Sequence, residues 1–442
     1  MKQPENKKYG LLTAICTVIG TVIGSGIFFK AESILKITDG DTFLGLCALI
    51  LGGGIMLVCA ATFASMDATE VGVGGVVGYA ESLCGGGYAR AVALFSAIFY
   101  LPTITAAIAL ASARYFCMLV GFGDDPSMKV LFGGAFLVSL FVLNSLSPRS
   151  AGVFQIGSTV LKLLPLVLVA LVGGFLLIFG EKDVFEQSGA AASTLFPASI
   201  SAAFAYEGWI VVTSMNDEIN EPEKNIPKAL FFGAIAVLSV YVLYYIGISG
   251  SAEAEEIVNE SSSAVFVKLF GSSFGGVLTA FITVSCVGAL NGMSMAVSRG
   301  CCILSDTLNK RENRRGRLFS ERSEINGIPF ASAIMGLFFS ELWLVYYCFS
   351  EIGHPETFSG FDPAEISIAV MYGMYIPIFV SAMIKRRGEG FVKRFALPLA
   401  AVAGALFLVL SAVMSFGVPT VVYLLLVACV MLAAEIFCRR RA

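Results

Sequence analysis

The 442-residue chain has only one histidine and few charged residues. His354 alone cannot form a histidine pair at helical spacing or a His–Glu motif, which excludes the usual histidine-rich metal sites. The 29 Lys and Arg residues are outnumbered by 32 Asp and Glu, so the chain has no basic excess for binding nucleic acid. The 11 cysteines form no CxxC pair and are expected to be small core residues. We therefore predict no metal, no cofactor and no nucleic-acid partner.

Apolar residues dominate instead: 57% of the chain is hydrophobic, 14% is charged, and the mean hydropathy is +0.83. A soluble core cannot bury so much apolar surface. A transmembrane helix needs about 20 largely apolar residues, and the chain contains twelve such runs. The predicted spans are Tyr9 to Leu35, Thr42 to Met66, Gly87 to Val120, Val130 to Leu146, Gly152 to Gly180, Phe196 to Met215, Ala229 to Gly250, Val265 to Leu304, Ile328 to Phe349, Ile366 to Ile384, Phe395 to Phe416 and Val418 to Phe437. The sequence thus predicts an all-α membrane protein.

Lys and Arg residues lie mostly on one side of these spans. Segments on the side of the N-terminus hold 21 of them, whereas segments on the opposite side hold 4, namely Lys30, Lys36, Lys129 and Lys182. Cytoplasmic loops carry the excess of Lys and Arg, so both termini are expected in the cytoplasm of a multi-pass protein of the cell (inner) membrane. The first run is too long for a signal peptide and is predicted to be a retained helix.

The first span contains a glycine cluster, GTVIGSGIFF, with Gly20, Gly24 and Gly26 around Ser25. Gly20 and Gly24 form a GxxxG pair, which is typical of close helix packing. Glycine also weakens a helix, and the alternative is an unwound point whose N–H groups receive an anionic group. Both interpretations remain open on this pattern alone.

The sixth span, FAYEGWIVV, places Glu207 and Gly208 in the middle of an apolar run. A carboxylate at this depth costs roughly 2.5–3.5 kcal/mol and should face a cavity or a partner. Interruptions in spans one and six fit a 5+5 inverted repeat with broken helices 1 and 6 and two extra helices. We predict one transporter domain over residues 1–442, with repeats at about 9–180 and 196–384 and additional helices at about 395–437.

Lys162 lies ten residues after the start of the fifth span at Gly152, which corresponds to about 15 Å along a helix. That depth is close to the middle of the bilayer. The lysine side chain cannot easily reach the surface from there, so an internal partner is expected.

Taken together, these motifs resemble the L-type amino acid transporter family of the amino acid, polyamine and organocation superfamily. The matching motifs are IGSGIF from Ile23 to Phe28, FAYEGW from Phe204 to Trp209, EPEKNIPKAL from Glu221 to Leu230, and LKLLPL around Lys162. The resemblance runs through all twelve predicted spans. Bacterial serine/threonine exchangers of this family also carry an acidic residue in the FAY-acid-GW setting.

The resemblance implies alternating access around the two breaks. The substrate α-carboxylate is expected on backbone N–H groups of the first break, and the α-ammonium on carbonyl groups of both breaks. The implied substrate-binding residues are Ile23, Gly24, Ser25, Gly26, Ile104, Ile108, Phe204, Ala205, Glu207 and Asn291. Phe204 resembles an aromatic gate, and Lys162 resembles the lysine that takes the place of a sodium ion.

The predicted function is sodium-independent exchange of small or neutral L-amino acids. Proton-coupled uptake and a non-transporting amino acid sensor are the alternatives. An enzyme is not expected, because no nucleophile with a base is visible. Animal members bind a heavy subunit through a cysteine in the loop after span three, and that loop is GFGDDPSMK here, so no disulfide-linked heavy subunit is expected.

Glu207 has three possible roles in this scheme: partner of a basic substrate, proton carrier, or structural brace of the broken helix. We expect the brace, because exchangers of neutral substrates in the resembling family also carry an acid at this position.

Replacing sodium by choline should leave amino acid uptake unchanged. A fixed ammonium group at Lys162 repels any second cation in the same site, so sodium has no place to bind. Radiolabelled uptake into proteoliposomes measures this directly. Uptake that rises steeply with sodium concentration contradicts the prediction.

Overall fold

A computed structural model describes residues 10–66, 74–179, 190–251, 271–309, 330–350 and 361–441, and these ranges are helical with short connections. The α-helices are α1 (Leu11–Val22), α2 (Ser25–Ile37), α3 (Thr42–Ala64), α4 (Val76–Cys84), α5 (Gly86–Phe95), α6 (Leu101–Val120), α7 (Pro126–Leu146), α8 (Pro148–Phe179), α9 (Leu195–Ala205), α10 (Pro222–Ser251), α11 (Ser272–Asn309), α12 (Phe330–Cys348), α13 (Pro363–Lys385), α14 (Leu397–Phe416) and α15 (Val418–Arg441).

Within these ranges, 10 helices are long and apolar enough to cross a membrane, or 11 when the bent pair α1–α2 counts as one span. They overlap the first eleven predicted spans, with α5 and α6 forming one crossing over Gly86–Val120. The last helix, α15, contains a shorter apolar stretch, Val418–Ala433. The chain is thus an all-α multi-pass membrane protein, while the twelfth crossing and the two repeats remain predictions.

The first span is broken between α1 and α2. Ile23 and Gly24 leave the helical conformation, and the two helices bend by 42° at this point. A Cβ atom on Gly24 would overlap the side chain of Ala289 on α11. The close approach of α11 therefore requires glycine at this position.

The sixth span is broken after Ala205, where α9 ends. Gly208 has a φ of 107°, a left-handed conformation that favours glycine, and a 3₁₀ segment, Trp209–Glu218, follows it. A Cβ atom on Gly208 would lie 3.1 Å from the carbonyl oxygen of Thr21. The second break is thus in direct contact with the end of α1.

The third crossing contains a π-helical turn, Ser96–Tyr100, between α5 and α6. Such a turn inserts one extra residue into the helix and is frequent at functional sites. Tyr100, its last residue, donates its hydroxyl proton to Oε1 of Glu207 in the second break. The π-helical turn therefore lies next to the broken sixth span.

A buried ion pair joins α2 to α13. Lys30, counted among the four cations on the side opposite the N-terminus, lies within α2 and is 5% exposed. Its Nζ lies 2.5 Å from Oε1 of Glu365 and 3.4 Å from Oδ2 of Asp362. Asp362 also caps α13 by accepting the backbone N–H of Ala364 at 2.9 Å. The ion pair between Lys30 and Glu365 thus holds α2 and α13 together.

Lys30→Met should destabilise the protein, because it leaves the Glu365 carboxylate buried without its cation, at a cost of about 3–5 kcal/mol. The double variant Lys30→Met/Glu365→Met removes both charges and should recover most of this loss. The unfolding temperatures of the detergent-purified wild type, single variant and double variant measure these effects. A double variant that is no more stable than Lys30→Met would show that the pair is not the cause.

Candidate functional site

The two breaks lie side by side in the middle of the helix bundle. The hydroxyl of Thr21 at the end of α1 donates to the carbonyl of Gly208 at 3.1 Å. On the other side, a Cβ atom on Gly26 would lie 3.0 Å from Cα of Ala205 and 3.3 Å from its carbonyl oxygen. Residues at the first break therefore contact the backbone of the second break at two points.

A small cavity of about 10 Å³ lies between the breaks, with room for about one water molecule. The residues that line it come from the two breaks and from α6 and α11. They are Thr21, Val22, Gly24, Gly26, Ile104, Ile108, Phe204, Ala205, Glu207, Ala289 and Met293. Both broken spans thus contribute residues to one small cavity.

The first turn of α2 provides donors for an anionic group. This helix begins at Ser25 after Gly24, and no side chain caps its N-terminus. The first N–H groups of a helix have no intrahelical partners and carry a partial positive charge. Because Gly24 and Gly26 both line the cavity, this helix end can bind a carboxylate there.

Glu207 presents a carboxylate to the cavity and is 6% exposed. Oε1 accepts hydrogen bonds from the hydroxyl of Tyr100 and, at 3.2 Å, from the backbone N–H of Gly208. Oε2 has no hydrogen-bond partner among the described residues. One oxygen is thus engaged in holding the break, while the other remains available to a donor in the cavity.

Phe204 and Lys30 form a layer on one side of the cavity. Phe204 lines the cavity, and its ring makes an edge contact with Phe29 at 5.5 Å between centroids. The Nζ of Lys30 lies 4.5 Å from the centroid of the Phe204 ring, a favourable cation–π distance. The ion pair with Glu365 is therefore stacked directly on the ring that covers the cavity.

Lys162 connects α8 to α1 and does not line the cavity. Its side chain is fully buried, and Nζ donates to the carbonyl oxygen of Gly20 at 2.5 Å. The cation thus contacts α1 three residues before the first break.

Of the ten implied binding residues, seven line the cavity: Gly24, Gly26, Ile104, Ile108, Phe204, Ala205 and Glu207. Ile23 is buried in the break without lining the cavity, and Ser25 begins α2 with its hydroxyl outside the described part of the chain. Asn291 points elsewhere and bonds to Asn144, Gln155 and Ala151. It lies two residues from both Ala289 and Met293, which puts it about 200° around the helix from them.

Sequence reasoning missed four lining residues: Thr21, Val22, Ala289 and Met293. The spacing of Ala289 and Met293 by four positions was the available signal, since residues so spaced share a helix face.

Comparison with known proteins identifies the family. The profile of the amino acid permease family matches residues 9–434. The chain belongs to this family. The match confirms the resemblance drawn from the sequence motifs, and the chain is a membrane transporter of amino acids, not an enzyme.

Individual relatives agree with this family. The permease is 29% identical to the serine/threonine exchanger SteT of Bacillus subtilis over 414 residues, covering 91% of this chain and 90% of SteT. It is 26% identical to the mouse b(0,+)-type amino acid transporter 1, covering 92% and 83% of the two chains. The crystal structure of MhsT in complex with L-phenylalanine has the same fold, with a TM-score of 0.56, 16% identity and coverage of 91% and 98%.

Gly26→Val should abolish amino acid binding by this permease. The added side chain collides with the Ala205 backbone and closes the space in front of the first N–H groups of α2. Gly54→Val is the matched control, because no atom lies within 4 Å of a Cβ at that position. Binding of radiolabelled serine to purified protein measures both variants. Equal binding by Gly26→Val and Gly54→Val would place the site elsewhere.

Proposed function

We propose that this permease exchanges small neutral L-amino acids, with serine as a representative substrate, by alternating access and without sodium. The observation that carries the proposal is the small cavity between two broken spans, with Nζ of Lys162 donating to the Gly20 carbonyl of the first broken span. An internal cation replaces a transported one, and the breaks supply backbone groups for both ends of an amino acid. The similarity to a serine/threonine exchanger supports this substrate class.

The two charged ends of the substrate fit opposite parts of the site. The α-carboxylate binds the uncapped N-terminus of α2 at Gly24, Ser25 and Gly26. The α-ammonium binds carbonyl groups near the ends of α1 and α9, including those of Ile23, Phe204 and Ala205. Neutral side chains are favoured, because the walls from α6 and α11 offer Ile104, Ile108, Ala289 and Met293.

Two sets of contacts flank the cavity and are candidates for the gates of alternating access. Phe204 and the Lys30–Glu365 pair cover one side. On the other side, α1 is held against α8 through Gly20 and Lys162. The excess of Lys and Arg on the side of the N-terminus supports cytoplasmic termini in a cell membrane.

Proteoliposomes preloaded with one amino acid at a time test this function. Uptake of radiolabelled serine should require internal serine, threonine or alanine and should be slow into empty vesicles, because exchange needs a substrate on both sides. Equal uptake into empty and loaded vesicles contradicts exchange.

Proton-coupled uptake is the second candidate, and the unpartnered Oε2 of Glu207 is the observation that favours it. A buried carboxylate oxygen open to the cavity could carry a proton together with the substrate. An inwardly directed proton gradient distinguishes the two functions, since it drives uptake into empty vesicles only when protons are coupled.

Glu207→Gln should retain serine exchange within about tenfold, since loss of charge assistance to a hydrogen bond costs on the order of 1 kcal/mol. Gln keeps the shape and one acceptor for the hydroxyl of Tyr100 or the N–H of Gly208. Glu207→Leu removes both acceptors and should lose exchange. Exchange rates in loaded proteoliposomes compare the two variants. Complete loss with Gln would instead assign Glu207 a charge-carrying role.

A further inference from the structure

Three side-chain amides form a hydrogen-bonded chain below the cavity, toward the side of the N-terminus. Asn144 of α7 donates to Oδ1 of Asn291 at 3.0 Å. Asn291 of α11 donates to Oε1 of Gln155 at 2.9 Å and to the Ala151 carbonyl at 3.2 Å. Gln155 of α8 then donates to the carbonyl of Gly20 at 3.5 Å. This chain of amides therefore links α7, α11 and α8 to α1 just before the first break.

The carbonyl of Gly20 accepts from two side chains of α8. Lys162 and Gln155 are seven residues apart, about two helical turns, so they project from the same face. The contact of Lys162 is short at 2.5 Å, whereas that of Gln155 is at the limit of a hydrogen bond at 3.5 Å. The link between the amide chain and α1 is therefore its longest and weakest one.

Glycines allow this polar face of α8 to fit between its neighbours. A Cβ atom on Gly292 of α11 would lie 3.3 Å from Nε2 of Gln155. On the α1 side, a Cβ atom on Gly20 would lie 2.7 Å from Oγ1 of Thr159. The amide of Gln155 thus occupies a narrow space between α8, α1 and α11.

We propose that the amide chain Asn144–Asn291–Gln155 is a latch that positions α1 against α8 in the closed state. The inference rests on the alternating-access function proposed above. Amides at membrane depth need hydrogen-bond partners. When α1 moves away, Gln155 keeps its bond to Asn291 and loses only the long contact to Gly20. The latch therefore acts on the opening of the site. It does not act on substrate affinity, since none of the three amides lines the cavity.

Two cysteines of this protein can report the opening through the accessibility of their thiols. Cys286 of α11 is fully buried and lies near Lys162, whose Nζ contacts α1 at the Gly20 carbonyl, so we expect its thiol to become more accessible when α1 moves away from α8. Cys301 on the same helix is also fully buried, but its Sγ lies 4.0 Å from the carbonyl of Ala97 in the third crossing. Opening at α1 should leave Cys301 protected.

Gln155→Met removes the last link of the latch with little change of size. N-ethylmaleimide labelling of membranes, followed by mass spectrometry of the cysteine peptides, measures its effect. Labelling of Cys286 should become about fivefold faster, the change expected for loss of one interhelical hydrogen bond, with Cys301 unchanged. The KM for serine exchange should stay within about twofold, because the latch does not contact substrate.

Ser294→Ala is the matched control, since the Ser294 hydroxyl bonds to the Leu290 carbonyl of its own helix at 2.8 Å. Its labelling should equal that of wild type. Asn144→Leu releases the far end of the latch and should accelerate Cys286 labelling in the same direction, which gives the test a second variant if Gln155→Met does not reach the membrane.

Unchanged Cys286 labelling in the amide variants would contradict the latch proposal. An equal increase in labelling at Cys301 would also contradict it, because it would indicate general loosening of the protein. A tenfold change in KM would overturn it as well by indicating substrate contact. Faster Cys286 labelling supports the latch even if wild-type protein fails to exchange serine, and that failure would count against the proposed function alone.

Discussion

The interior of a membrane offers no water to the peptide backbone, so each helix break must be compensated by other groups. Side chains from neighbouring helices provide much of this compensation here. Tyr241 donates to the carbonyl of Val22 at 2.9 Å, and Lys162 donates to that of Gly20 at 2.5 Å. Thr21 donates to the carbonyl of Gly208 and thereby joins the breaks. The uncapped N-terminus of α2 faces the cavity, where an amino acid can bind it.

Charged groups at membrane depth have different partners, and the partner determines what each charge can do. Lys30 and Glu365 largely neutralise each other, so this pair fastens two helices. Lys162 donates to a backbone carbonyl of α1 rather than to a carboxylate. Glu207 is bound through one oxygen to a hydroxyl and an N–H, which leaves its other oxygen toward the cavity.

Packing rather than regular hydrogen bonding supports the chain after the second break. The 3₁₀ segment that begins at Trp209 has poorer hydrogen-bond geometry than an α-helix. Trp209 is fully buried, and its indole N–H donates to the hydroxyl of Tyr372 at 3.3 Å. Phe63 and Tyr375 pack around it with ring centroids 6.0 and 6.4 Å away. These aromatic contacts hold the irregular segment in place beside the site.

The sequence by itself predicted the eleven apolar spans found among the described residues and indicated the two places where helices are broken, because these depend on residues close together in the chain. Apolar length and glycine placement are local properties that survive any packing arrangement. Only the tertiary structure decided that Lys30 pairs with Glu365, 335 positions away, and that Asn291 faces an amide cluster and not the cavity. The physical reason is that the rotation of each helix about its axis is set by its neighbours, and a rotation of half a turn exchanges a site residue for a packing residue.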